Sequence, residues 1–453
     1  MVLFSKRDLL KLIMPMMIQQ ILLITVSTAD SMMVASAGEA AVSGVSLVGA
    51  LDTLLVMAFS SMVTGGTVVI SHARGRKDQP FGCECAKQLL YITTGIALAV
   101  MVLVGIVREP LLQFLYGSAD ADVLASANGY MEILLLSFPF LALYSSGAAI
   151  FRTTGDTVTG LWLSVVLNVL NIVGNAVCIF VFHMGAAGAA LATLISRAVC
   201  AVIVTIMLLN RKNMIYVEKL FHYRPDMNVI RRILSIGVPH AIENSMFHFG
   251  RLATQVLISS MGTAAIAANS VANTLASYIY LPSNAITDAT ITVVGRCYGA
   301  KEIAQTKKYA RLLVWWCYLC MWAVSTLLML LARPIIGIYN LSAQGAAIAL
   351  QLTLFHCIAT CFIRPPAFML PSAFKATGDA KFTMVVSSLS MWIVRIGASF
   401  VLAPEVIPLP GLTIPGLGMG IMGVWVAMIA DWVVRAIVYS VRFFRGTWLK
   451  PHN

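Results

Sequence analysis

The chain has 453 residues, of which 59% are hydrophobic and 11% charged, with a mean hydropathy of +0.87. A soluble domain carries about 25% charged residues, so these values exclude a soluble enzyme or regulatory domain of useful size. The net charge of +12 invites a nucleic-acid reading, but its placement argues against one.

Apolar runs of about 20 residues or more recur along the whole length, each enough to cross ~30 Å of hydrocarbon. They predict an all-α polytopic membrane protein with twelve spans: 10–36, 45–72, 86–107, 126–151, 160–183, 187–209, 229–261, 268–296, 311–332, 347–374, 382–402 and 418–444. With both termini on one side, that side holds 24 of the 31 Lys and Arg, in clusters such as Lys6/Arg7/Lys11, Arg74/Arg76/Lys77 and Arg442/Arg445/Lys450. The opposite loops hold Arg108 and Arg333. This bias follows the positive-inside rule and predicts cytoplasmic termini in the inner (cytoplasmic) membrane.

The first span contains "ITVSTADSMMV" (24–34), where Asp30 is the one charged side chain between Leu12 and Ala37. An ionised carboxylate there costs roughly 2.5–3.5 kcal/mol even on lenient insertion scales, and an intramembrane carboxylate is functional by default. "VASAGEA" holds an A-x-A pattern, but the preceding apolar run exceeds a signal h-region, so the segment reads as an uncleaved first helix. The nine cysteines form no metal pattern; Cys317 and Cys320 lie in "VWWCYLCMW" and read as helix-packing residues.

The chain is an internal duplication. A shift of 224 aligns Pro15 with Pro239, Gly38 with Gly262, Ser46 with Ser270, Gly75 with Gly299 and Pro110 with Pro334. A shift of 223 aligns "FRTTGDT" (151–157) with "FKATGDA" (374–380). After a Pro- and Gly-rich insertion around 404–418, "MGAAG" (184–188) matches "MGIMG" (419–423). Six spans per half is an even number, so the halves are parallel repeats related by an axis along the membrane normal. The expected organisation is an N-lobe 1–209, a cytoplasmic linker 210–228 and a C-lobe 229–453 around a central cleft. Two such lobes suit alternating access. The two Thr-Gly-Asp sites read as turns, with Asp156 or Asp379 capping the helix that follows.

These pieces, in order, resemble the multidrug and toxin extrusion (MATE) family of cation-coupled efflux transporters. The resemblance rests on Pro15 through "ADSMMVASAG", "RGRKD", "FRTTGDT", "LNVLNIVGN", "GAALAT" and "ENSMFHFG…GTAAIAANSVANTLAS", and covers essentially the whole chain. It implies a non-enzymatic antiporter that exports amphipathic, often cationic compounds against inward H⁺ or Na⁺. No cofactor is implied beyond the coupling ion, and the partners implied are small xenobiotics and the bilayer, with no nucleic acid and the chain acting as a monomer. Matched motif to motif, the resemblance implies a cation-coupling set of Asp30, Tyr130, Asn171, Asn175 and Thr193, with Pro15 as the kink of the first helix. If the ion is Na⁺, its ligands are Asp30, Asn171 and Asn175. Asn175 departs from the family pattern, where many relatives carry a second Asp, and this leaves Asp30 as the cluster's only expected titratable carboxylate.

Helix geometry points to the same set. Spans 1 and 5 run outward with Asp30, Asn171 and Asn175 in their outer halves, while spans 4 and 6 run inward with Tyr130 and Thr193 near their starts. Asn171 and Asn175 are an i,i+4 pair on one face, with Asn168 beside them. The position repeat-aligned with Asp30 is Thr254, so the halves share a frame but not this carboxylate.

The C-lobe has its own intramembrane charges, and Glu243, His248 and Arg364 form a candidate substrate or second coupling site. Glu243 reads as a cationic-drug ligand, a second titrating site, or half of a structural ion pair with Arg251, Arg364 or Arg395, all of which need partners. Asp431 and Arg435 are i,i+4 and read as a structural pair. Two rival functions remain. A flippase or exporter of lipid-linked oligosaccharide on the same architecture predicts a strongly cationic cleft, whereas only Arg197, Arg251, Arg364, Arg395 and Arg435 lie within spans. A membrane transferase predicts an aspartate-rich Mg²⁺ motif or paired histidines, neither of which is present.

Overall fold

A computed structural model describes residues 3–117, 120–218, 220, 222, 224–409 and 412–449. Lys450, linker positions 219, 221 and 223, and positions 410 and 411 of the insertion lie outside the described residues.

The helices are α1 (Lys6–Ala35), α2 (Glu39–Gly75), α3 (Gln79–Tyr116), α4 (Ala121–Leu136), α5 (Phe138–Thr154), α6 (Thr157–Ala176), α7 (Gly185–Leu208), α8 (Met227–Ser259), α9 (Thr263–Gly299), α10 (Ile303–Ile338), α11 (Ala343–Ala376), α12 (Ala380–Leu389), α13 (Gly397–Leu402) and α14 (Gly420–Arg445). A π-helical segment, Val177–Val181, extends α6, and another, Ser390–Ile396, joins α12 to α13. Taken with these joins, the elements make twelve membrane-crossing segments, one for each predicted span. Ten are long and apolar enough by length and composition among the described residues, α4 and α5 counting as one. The other two, α8 and α9, have the length, 33 and 37 residues, but carry more polar side chains.

Most helices overrun their apolar runs. α3 has 38 residues against a predicted span of 22, because an apolar run marks only the hydrocarbon while backbone hydrogen bonding carries the helix into the headgroups. Span 4, predicted as one helix, is broken: α4 and α5 meet at Ser137 with a bend of 47°. Pro139 at the start of α5 removes a backbone donor, which makes this the natural break point. The insertion after α13 forms an antiparallel hairpin, β1 (Val406–Leu409) paired with β2 (Leu412–Pro415).

The chain divides into two compact units, Met1–Ala241 with Gly299–Lys301, and Ile242–Tyr298 with Glu302–Asn453. In the first, α1 packs on α6, α6 on α7, and α2 on α3, α4 and α5. The contacts are close where glycine permits it: a Cβ on Gly174 of α6 would lie 2.9 Å from Ala192 Cβ of α7, and one on Gly44 of α2 would lie 2.8 Å from Ala127 N of α4. Small residues at such crossings replace the hydrophobic drive that lipid cannot supply. In the second unit α11 packs on α10 and α14, around a core that includes Trp425 and Trp432.

The repeat extends to the turns. Gly155 and Gly378 occupy the same place in the two Thr-Gly-Asp motifs with φ of +88° and +96°, a left-handed conformation in which glycine carries no Cβ penalty. Asp156 accepts from Thr159 N at 3.0 Å and caps α6 as expected. Asp379 does not cap α12; its carboxylate is taken by Arg442, with Nε and Nη2 at 2.8 and 2.5 Å. A guanidinium offers two charge-assisted donors where the helix offers one amide, and the stronger partner takes the carboxylate.

Candidate functional site

The stretch "ITVSTADSMMV" folds as the C-terminal part of α1, and its hydroxyls satisfy themselves. Thr25, Thr28 and Ser31 donate to the carbonyls of Ile21, Ile24 and Ser27 at 3.0, 3.0 and 2.9 Å. Such back-bonding is the standard refuge of a hydroxyl in hydrocarbon. A carboxylate has no such refuge, so Asp30 must find partners across helices.

It finds them on α6. Asn175 Nδ2 donates to Asp30 Oδ1 at 2.7 Å. One end of the Asn171 amide stands 2.8 and 3.1 Å from the two Asp30 oxygens, and its other end stands 3.2 Å from Thr193 Oγ1 on α7. The i,i+4 spacing puts both amides on one face, and the α6–α7 approach at Gly174 brings Thr193 within reach.

The Asn171 amide can take either orientation, and chemistry decides which. With Asp30 ionised, its nitrogen must face the carboxylate and its oxygen accepts from Thr193. With Asp30 protonated, the acid O–H donates to the amide oxygen at 2.8 Å, the nitrogen donates to Thr193, and Thr193 donates to Ala189 O at 2.9 Å. Each protonation state therefore has its own complete hydrogen-bond chain, differing by a half-turn of one amide.

These groups, with Tyr130 of α4, line a cavity of about 350 Å³. The structure thus brings together Asp30, Tyr130, Asn171, Asn175 and Thr193. Buried in the same wall, Asn175 Oδ1 and Asn168 Nδ2 have no hydrogen-bond partner among the described residues. Pro15 lies within α1, fifteen residues before Asp30, and its repeat-mate Pro239 lies within α8.

The same cavity corrects the expectation of a single acid. Asp52 of α2 also lines it, with Oδ1 buried and without a hydrogen-bond partner, and so does Arg197 of α7. Arg197 is the opposite charge acting on Asp52, and its Nη1 donates to Ser137 Oγ at 2.7 Å, at the bend between α4 and α5. Asp52 stands in a predicted span and was open to the same argument as Asp30; the motif match passed over it.

In the second unit the predicted C-lobe residues have separate surroundings. Glu243 pairs with Lys375 at 3.0 Å, both largely buried, and accepts from Ser387 Oγ at 2.9 Å. The partner expected from sequence was an arginine; it is a lysine at the C-terminal end of α11, brought inside because α11 continues to Ala376. Arg364 is buried in an aromatic box, its guanidinium carbon 3.7 Å from the Tyr280 ring centroid and 4.3 Å from that of Phe368. His248 is half-buried on α8. Asp431 and Arg435 pair at 2.8 Å, fully inside.

The model of the MatE family matches residues 15–177 and again 239–401, two stretches whose starts stand 224 residues apart. The uncharacterized transporter YisQ of Bacillus subtilis is 27% identical over 98% of this chain and 95% of its own length. The probable multidrug resistance protein NorM of Thermotoga maritima is 26% identical over 98% of this chain and 93% of its own length. Among solved structures, the outward-facing conformation of a multidrug resistance MATE family transporter superposes with a TM-score of 0.88 at 18% identity, covering 99% of this chain and 97% of that one. Two family matches spanning most of the chain, on a twelve-segment helical fold, place the protein in the MATE family of membrane transporters.

Proposed function

We propose that the protein exports amphipathic compounds from the cell, driven by inward movement of H⁺ or Na⁺ through the Asp30 site. The observation that carries this reading is the Asp30–Asn171–Thr193 chain, which has one complete bonding pattern for the charged carboxylate and another for the neutralised one. A transporter needs an element with two states that ion and substrate favour differently. The separation of 2.8 Å between Asp30 and the Asn171 amide suits a proton held directly between oxygens, and the unpartnered Asn175 oxygen suits a cation sharing the cavity.

In the cycle we infer, the cation enters from outside and neutralises Asp30. The Asn171 amide turns, the α1–α6–α7 packing changes, and α1 bends near Pro15. Drug affinity falls, drug leaves outward, and the ion is released inward on reset. The lobes 1–209 and 229–453 would rock about the linker 210–228, with both termini in the cytoplasm and one chain sufficient. Multidrug resistance proteins among the relatives, NorM of Thermotoga maritima being one, support drugs as the cargo class. The test is efflux of a fluorescent cation from proteoliposomes under a pH gradient and a sodium gradient imposed separately. Response to neither would remove the antiporter reading.

A further inference from the structure

The second unit contains a smaller cavity of about 50 Å³, lined by residues of α8, α9, α14 and the π segment before α13. It is the repeat counterpart of the Asp30 cavity. The shift of 224 carries Ser27 to Arg251, Asp30 to Thr254 and Ser31 to Gln255, and the shift of 223 that holds from the Thr-Gly-Asp motif onward sets Arg395 at the position of Ile172, next to Asn171. Beyond the insertion, the "MGAAG"/"MGIMG" match carries Thr193 to Met428. In all, seven of its ten lining residues are repeat-mates of residues lining the first cavity.

The frame is kept and the polarity is reversed. Where the first cavity has the Asp30 carboxylate, this one has Thr254; the position of Ser27 is Arg251 here, and Arg395 stands one place from the position of Asn171. Arg395 is 7% exposed, yet its guanidinium makes no hydrogen bond or ion pair among the described residues, and its buried Nε has no partner. The carboxylate acting on it most strongly, Asp431, gives Oδ1 to Arg435 at 2.8 Å and to Ser390 at 2.5 Å, and its buried Oδ2 has no hydrogen-bond partner among the described residues, Arg395 included. Two arginines thus share one carboxylate. Two of the three lining amide oxygens are engaged: Trp425 Nε1 donates to Asn269 Oδ1 at 3.0 Å, and Asn269 Nδ2 donates to Gln255 Oε1 at 3.4 Å. What faces the cavity unsatisfied is mainly donor and positive.

An unpaired guanidinium buried in a membrane protein is expensive and marks a place where an anion is received. A guanidinium fork matches a carboxylate geometrically as well as electrically. The space holds roughly three or four waters, or a carboxylate with one water. We propose that this cavity binds the carboxylate of the transported compound, so that the preferred cargo is an amphiphile bearing a carboxylate rather than a simple lipophilic cation. This deepens the exporter reading above and rests on it.

The test uses the full chain in lipid nanodiscs and two dyes that differ in one group: rhodamine 110, with a free carboxyl, and rhodamine 123, its methyl ester. Fluorescence anisotropy is expected to show rhodamine 110 bound roughly tenfold tighter, the worth of a charge-assisted hydrogen bond. Arg395→Gln is expected to remove that preference while leaving rhodamine 123 binding intact, which also reports that the variant is folded. Arg395→Lys should retain part of it, and Arg251→Gln, at an exposed position, should weaken it independently. Equal affinity of the two dyes in the wild type, with rhodamine 123 still exported, overturns this proposal and leaves the exporter reading standing. Chloride displacing rhodamine 110 at concentrations at which acetate does not would make the site one for inorganic anions and overturn it equally. Failure to bind either dye overturns both readings.

Discussion

The two repeats show what duplication preserves and what it releases. In the first unit, Asp30, Asn171, Asn175 and Thr193 surround a cavity of about 350 Å³; in the second, Thr254 and Met428, at the positions of Asp30 and Thr193, line one of about 50 Å³ together with Arg395. Helix packing holds the backbone frame, because glycines at crossings and caps at turns leave little freedom. Side chains that face a cavity touch fewer atoms, so their polarity can invert without disturbing the fold. The acid-bearing repeat is suited to a cation, and the arginine-bearing repeat to an anion.

The sharpest way to break this contrast is at Asp30. Asp30→Asn should lower gradient-driven efflux by more than about tenfold while substrate binding persists, read as transport against equilibrium binding in the same proteoliposomes. An equal loss of both would make Asp30 a substrate ligand rather than the coupling group.

A large effect on stability is expected in the second unit. Lys375→Met leaves Glu243 buried beside Ser387 without its cation, at a cost of about 3–5 kcal/mol in thermal unfolding. The double variant Lys375→Met/Glu243→Gln should recover most of it. If the double variant retains transport, the Glu243 pair is architectural. If it folds and does not transport, Glu243 belongs to the transport machinery.

Asp52→Asn sharpens the comparison from the other side. It removes the second acid of the first cavity and leaves Arg197 to Ser137 alone. The expected result is a change in the pH or sodium dependence of efflux with a smaller loss of maximal rate than for Asp30→Asn. An unchanged ion dependence would make Asp52 a counter-ion only. The smallest effect is expected from Gly174→Ala, whose new methyl would sit 2.9 Å from Ala192 Cβ. Overpacking of this kind costs about 1–3 kcal/mol. Because it separates α6 from α7, it should weaken ion dependence more than Gly147→Ala on α5 does.

Much of this was legible in the sequence, for identifiable reasons. Span number came from apolar run length, and the duplication from the 224-residue spacing that the family matches also have. Asp30 was visible because a lone acid in an apolar run has no ordinary explanation. Asp52 carries the same signal in "ALDTLL", but it lies outside every motif on which the family resemblance rests. The Lys375 partner was hidden by position: at the end of an apolar run it reads as a headgroup residue, and only the continuation of α11 through Ala376 brings it inside. The bend at Ser137 was present as "SFPF" but hidden by uninterrupted hydrophobicity, which a hydropathy window cannot distinguish from a straight helix. The amide orientation at Asn171 depends on three-dimensional distances and has no sequence signature.

The central claim is that neutralising Asp30 drives export. The most direct measurement loads proteoliposomes with a fluorescent amphipathic cation and applies a proton gradient and a sodium gradient in separate runs, for the wild type and for Asp30→Asn. The account predicts efflux under at least one gradient in the wild type, and facilitated equilibration without gradient-driven accumulation in Asp30→Asn. Undiminished gradient-driven transport by Asp30→Asn at equal reconstitution would contradict it.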